Sequence, residues 1–221
     1  MPLLDTLYYP DGTSVHLWRR TETIGELETA CSRLELPPAD AGVSRNDKRK
    51  GERLVEMLLL HRIFGRNVTF GHADSGAPMV DIAGCHISIS HTPGWVCIAR
   101  NDSHSIGVDI ERCSEKILRV RKKFLNSGEL ELVPAGDIPA NALAWTAKEA
   151  LYKLFEGRGG ASLADCYSIG ECVQVINKGY IVREAKAACV QGEPLTVISR
   201  VMSGAVLSLA VETKYLIHTI L

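Results

Sequence analysis

A chain of 221 residues, 46% hydrophobic and 23% charged, is long enough to bury one large core or two smaller ones and has the mix of an ordinary globular protein. Its formal net charge of −1 leaves no basic excess for coating nucleic acid, and no apolar run reaches the length that spans a bilayer. Seven cysteines form no CxxC pair and several sit in apolar runs such as Trp95–Ala99, so they read as small buried hydrophobes in a reducing, cytoplasmic setting.

In chain order, Leu36–Asp40 reads as a turn and Ser44–Phe64 as a helix, with Asp47 as a cap and Leu54, Met57 and Leu58 at helical spacing. The early turns of that helix hold Arg45, Lys48, Arg49, Lys50 and Arg53. Val68–Phe70 predicts a short strand and Asp74–Pro78 a turn. His86–His91 alternates as a half-buried strand does, Thr92-Pro93-Gly94 turns the chain, and Trp95–Arg100 returns. After a turn at Asn101–Ser103 comes a third strand, Ser105–Glu111, and the three together predict an antiparallel meander. Helices are expected at 115–132 and 140–156. Leu195–Glu212 predicts a second hairpin about Ser203-Gly204, a faint echo of the first. The class is α+β.

Three groups of residues could carry chemistry. Asp109 and Glu111 are two apart on a strand, so both carboxylates project from one face, where hard oxygen ligands suit Mg²⁺. On the downstream helix Trp145, Glu149 and Lys153 share a face, so Glu149 could join the acids and Lys153 reach a phosphate. Ser90 and His91 stand at a strand end. Each group alone has a plainer meaning: two solvated acids, a helical ion pair, a structural histidine.

In combination they are specific. Ser90-His91, then Gly107-x-Asp109-x-Glu111, then Trp145-x-x-Lys148-Glu149-x-x-x-Lys153 resembles the 4'-phosphopantetheinyl transferase superfamily. The resemblance starts near Arg49, passes Gly76-x-Pro78 and Phe124–Glu129, and ends near Gly159. It implies a pseudo-dimer of two similar halves, each an antiparallel sheet packed with helices. The length matches the longer, single-chain kind, expected as a monomer. The halves would be 1–103, contacting the nucleotide of coenzyme A, and 104–221, holding the metal, the catalytic residues and the carrier-docking surface.

The resemblance also implies roles. Asp109, Glu111 and Glu149 would hold Mg²⁺, with Mn²⁺ as a substitute. The base acting on the serine of an apo acyl or peptidyl carrier protein would be Glu149 or Glu129. Lys153 and Lys148 would meet the leaving 3',5'-ADP, and Arg49, Gly76, Pro78, Ser90 and His91 would hold coenzyme A. The family usually has Gly-Lys-Pro where this chain has Gly76-Ala77-Pro78, so one basic side chain is missing. Arg119, Arg121, Lys122 and Phe124 are expected to dock the acidic carrier, with Leu125 adding apolar surface. A metal-dependent phosphodiesterase and a non-catalytic coenzyme- or carrier-binding module are the alternatives.

Overall fold

The computed structural model of the chain describes residues 3–37, 47–156, 162–170, 172–174 and 179–217. The expected turn at 38–40, the helix start at 44–46 with Arg45, and Gly159 lie outside the described residues. The first sheet is antiparallel, in the order β1-β2-β6-β5, from β1 (Leu3–Tyr8), β2 (Ser14–Arg19), β5 (His86–Thr92) and β6 (Trp95–Asn101). A separate two-stranded ribbon, β3 (Phe70–His72) with β4 (Pro78–Val80), precedes β5. The second sheet has the order β7-β12-β11-β10-β8, with β9 paired to β10. Its strands are β7 (Gly107–Arg112), β8 (Tyr167–Ser168), β9 (Cys172–Gln174), β10 (Gly179–Ala187), β11 (Val190–Met202) and β12 (Ala205–Glu212).

Helices α1 (Ile24–Arg33) and α2 (Asp47–Phe64) cover the first sheet, and α5 (Ile138–Leu154) covers the second. The shorter helices are α3 (Glu115–Val120), α4 (Ser127–Leu132), α6 (Leu163–Cys166) and α7 (Lys214–Ile217). The two sheets face each other through Val15, Leu17, Cys97 and Ala99 on one side and Val108, Ile110, Leu207 and Leu209 on the other. The result is helix, sheet, sheet, helix. This explains the unbroken apolar run in β6: Trp95, Cys97 and Ala99 face the other sheet while Val96 and Ile98 face α2. A strand buried on both faces loses its polar alternation. Truncating a core side chain such as Leu209 would cost roughly 2–5 kcal/mol.

Both expected hairpins form, each turning at a glycine with positive φ, Gly94 (84°) and Gly204 (77°). Two expectations need correction. The meander stops after β6, because β7 leaves for the other sheet and pairs with β12. Gly107 lets β7 pack closely on α5: any Cβ there would overlap the Ala150 carbonyl oxygen, so strand and helix meet backbone to backbone. The linker into β7 is fixed by Asn101, whose Oδ1 accepts from the amides of Ser103 and His104 and whose Nδ2 donates to Thr13 Oγ1. The helix expected at 115–132 is broken into α3, a 3-10 turn at Arg121–Lys123, and α4. Asn126 starts α4 with a capping box, accepting from the Glu129 amide while Glu129 accepts from the Asn126 amide. Among the described residues no helix is long and apolar enough to cross a membrane.

Candidate active site

The site grows from the seam between the sheets. β5 and β7 are the edge strands of their respective sheets and lie side by side, largely buried, without a shared ladder. An edge strand leaves alternate amides unpaired, which burial makes costly. Here side chains replace the missing ladder. Ser88 Oγ accepts from the Val108 amide at 3.0 Å, and Ser90 Oγ accepts from the Ile110 amide at 3.3 Å.

The Ser90 hydroxyl proton goes to Asp109 Oδ1 at 2.7 Å. The same oxygen accepts from Lys153 Nζ, also at 2.7 Å, and Lys153 donates further to the Val108 carbonyl at 3.1 Å. Lys153 comes from the last turn of α5, the helix that Gly107 brings against β7. Two residues along the strands, Thr92 Oγ1 donates to Glu111 Oε1 at 2.8 Å, an oxygen that also accepts from the Arg112 amide. Burial, and then the charge of Asp109, push the Glu149 carboxyl up to about 7; Lys153 opposes the rise and Glu111 adds to it. Asp109, Glu111, Glu149 and Lys153 thus form one electrostatic group.

Whether this group suits a divalent cation turns on Asp109. Its Oδ2 is buried and has no hydrogen-bond partner, an orphaned anionic oxygen of the kind a cation satisfies. Among the described residues no group of three or more His, Cys, Asp or Glu side chains converges well enough to hold a metal by itself. Asp109 Oδ1 and Glu111 Oε1 are already engaged by hydroxyls, an amine and an amide. The donors therefore fit a hard cation shared with substrate phosphates, the way Mg²⁺ is usually held, rather than an all-protein cage.

Beside the acids runs a groove of about 650 Å³, lined by Gly76, Ala77 and Pro78 from the β3–β4 ribbon, by His91, and by Tyr152 and Lys153 of α5. Lys153 therefore links the groove to Asp109. A second groove of about 930 Å³ along α2 is lined by Arg49, Glu52, Arg53 and again His91. Arg49 is exposed there, and His91 Nδ1 lies 3.4 Å from Glu52 Oε2.

Ser90 and His91 do not work as a pair. Neighbouring strand residues point to opposite faces, so Ser90 is buried toward Asp109 while His91 turns toward α2. The sequence shows that alternation, but pairing Ser90 with His91 did not follow it through, and the stripe Ser88, Ser90 and Thr92 was missed. Lys148 and Glu129 also stand apart from the acid group. Lys148 is fully buried and donates to the Phe124 carbonyl, Glu129 Oε2 and the Leu163 carbonyl. Glu129 accepts in addition from the amides of Asn126 and Ile169. With its donors turned to these partners, Lys148 is not oriented toward a leaving group. Nor does Phe124 form an exposed docking contact: it is 0% exposed and packs edge-to-face on Trp145. Arg121 is a clamp on the Val133 carbonyl and Asn141 Oδ1, whereas Arg119, Lys122 and Lys123 are exposed.

Comparison with known proteins places this geometry in context. Residues 105–196, which span β7, α5 and the acid group, match the family model of the 4'-phosphopantetheinyl transferase superfamily. The chain is 30% identical over 115 residues to the 4'-phosphopantetheinyl transferase gsp of Aneurinibacillus migulanus, covering 49% of this chain and 47% of that protein. It is 31% identical over 126 residues to the 4'-phosphopantetheinyl transferase Sfp of Bacillus subtilis (strain 168), covering 54% and 55%. The chain thus spans about half the length of the curated relatives it matches. Through residues 105–196, this chain is similar to the 4'-phosphopantetheinyl transferase superfamily.

Proposed function

We propose that the protein transfers the 4'-phosphopantetheine arm of coenzyme A to a serine of an apo acyl or peptidyl carrier protein, releasing 3',5'-ADP. The observation that carries this is the buried Asp109 carboxylate, held at Oδ1 by Ser90 and Lys153 and orphaned at Oδ2, beside Glu149 and next to an open groove. Asp109, Glu111 and Glu149 would hold Mg²⁺, or Mn²⁺ in its place, together with the pyrophosphate. The ion, when bound, neutralises the acids and polarises the phosphoryl group.

The remaining steps belong to the chain's own residues. The carrier's serine oxygen forms a bond to the phosphorus that bears the pantetheine, and the bond from that phosphorus to the oxygen it shares with the nucleotide breaks. Glu149, the carboxylate that α5 adds to the acid group, takes the serine proton, directly or through a water. Glu129, already engaged by Lys148 and two amides, is the weaker choice of base. The Lys153 ammonium stabilises charge on the departing 3',5'-ADP. His91 with Gly76 and Pro78 contacts the nucleotide portion in the groove, and Arg49 extends the contact along α2.

Product analysis separates transfer from the phosphodiesterase alternative. Transfer releases 3',5'-ADP only when an apo carrier is present, and hydrolysis releases it from coenzyme A alone. Release without a carrier would favour the phosphodiesterase.

A further inference from the structure

One face of β5 carries three hydroxyls in alternate positions, Ser88, Ser90 and Thr92, at 3%, 6% and 3% exposure. The opposite face carries Ile87 and Ile89, which pack with the α1 and α2 core. Hydroxyls on a nearly dry strand face need partners, and all three find them on β7. Their tasks differ. Ser88 accepts from the Val108 amide and, among the described residues, meets no carboxylate. Ser90 makes the equivalent bond to the Ile110 amide and also donates to Asp109 Oδ1. Thr92 donates to Glu111 Oε1.

We infer that Ser90 and Thr92 are positioning residues, each holding one carboxylate of the acid pair so that its second oxygen is turned to the cation and phosphates. The inference rests on the proposed cation site. With Oδ1 fixed by Ser90 and Lys153, rotation of the Asp109 carboxylate is blocked and Oδ2 is the oxygen left to bind. A donor that fixes a ligating carboxylate commonly governs metal affinity by 10–100-fold. Ser90 therefore acts on the acid, not on a phosphate of coenzyme A. The ladder reaches the acids of residues 105–196 from a strand that lies outside that matched segment.

Mn²⁺ titration followed by electron paramagnetic resonance, with coenzyme A present, tests this without relying on turnover. Ser90→Ala and Thr92→Val are each expected to weaken Mn²⁺ binding at least tenfold, with the KM for coenzyme A at saturating Mn²⁺ changed less than twofold. Thr92→Ser, which keeps the donor, should retain wild-type affinity. Ser88→Ala removes the same kind of seam bond without touching an acid and should also retain it, which separates carboxylate positioning from a weakened seam. Unchanged Mn²⁺ affinity in Ser90→Ala, an equal loss in Ser88→Ala, or a raised KM for coenzyme A as the sole effect of Ser90→Ala would each overturn the inference. If the expected ranking of Mn²⁺ affinities appears in a protein that modifies no carrier, the ladder stands and the transfer reading falls.

Discussion

Lys153 Nζ on α5 lies 2.7 Å from Asp109 Oδ1 on β7, and this ion pair joins the long helix of the second sheet to the strand at the seam. The lysine side chain is about a quarter exposed and faces the groove, whereas the aspartate is nearly buried. One residue therefore both pairs with the acid group and lines the groove. Lys153→Ala should lower kcat by about 10²–10³, the usual cost of removing a charge-stabilising donor. Steady-state kinetics with saturating coenzyme A would show it. A fall in kcat/KM with kcat unchanged would mean that Lys153 only binds substrate.

The buried pair Lys148–Glu129 joins α5 to the start of α4, and its loss should be felt in stability. Lys148→Met leaves the Glu129 carboxylate buried without its partner, at a cost of about 3–5 kcal/mol. Adding Glu129→Gln should recover a large part of it. Urea unfolding midpoints of the two variants measure the difference. A Lys148→Met protein of wild-type stability with a raised KM for coenzyme A would return Lys148 to the substrate site.

Glu149 gives the stability a pH dependence whose sign follows from its raised pKa. Its contribution is fully present below the ordinary carboxyl value of 4.5 and is lost as pH rises through about 7, where the buried group must ionise beside Asp109. In EDTA, the wild-type Tm should fall relative to Glu149→Gln between pH 5 and pH 8. The gap should reach on the order of 2 kcal/mol, or roughly 4–8 °C, since partial solvent contact trims the full shift. Parallel melting curves for the two proteins across that range would show that Glu149 is not strained.

Docking of an acidic carrier is expected to depend on exposed charge alone. Lys122→Glu with Lys123→Glu should raise the carrier KM several-fold at low salt and little at high salt, because exposed charges are screened over about 8 Å at physiological ionic strength. Arg121→Glu and Phe124→Ala should instead destabilise the fold, the latter by roughly 3–5 kcal/mol. Carrier kinetics set beside melting temperatures distinguish the two classes. Unchanged carrier kinetics in the lysine double variant would leave this turn as a solvated surface.

The motifs legible in the sequence were those whose members share one element. Asp109 with Glu111 is a strand pattern, and Trp145, Glu149 and Lys153 form a helix stripe; the structure keeps both. What escaped was set by contacts between elements. Ser90 meets Asp109 across 19 residues and two different sheets, because β7 leaves the sheet of β6 and pairs with β12. Lys148 sits beside Glu149 in sequence yet turns to a different side of α5, toward Glu129. Some signals were present and went unused. The Thr23-x-x-Glu26 capping box announces α1, the Asn126-x-x-Glu129 box breaks the expected long helix, and strand alternation separates Ser90 from His91.

The most direct test is the intact mass of apo carrier proteins incubated with the protein, coenzyme A and Mg²⁺, with Asp109→Ala as the control. A panel of acyl and peptidyl carriers covers the proposed substrate class. The expected result is a carrier heavier by one phosphopantetheine, with an equal amount of 3',5'-ADP released. The gain should be abolished by EDTA, restored by Mg²⁺ or Mn²⁺, and lost in Asp109→Ala. Carriers of unchanged mass across the whole panel, with coenzyme A and metal saturating, would contradict the transfer function.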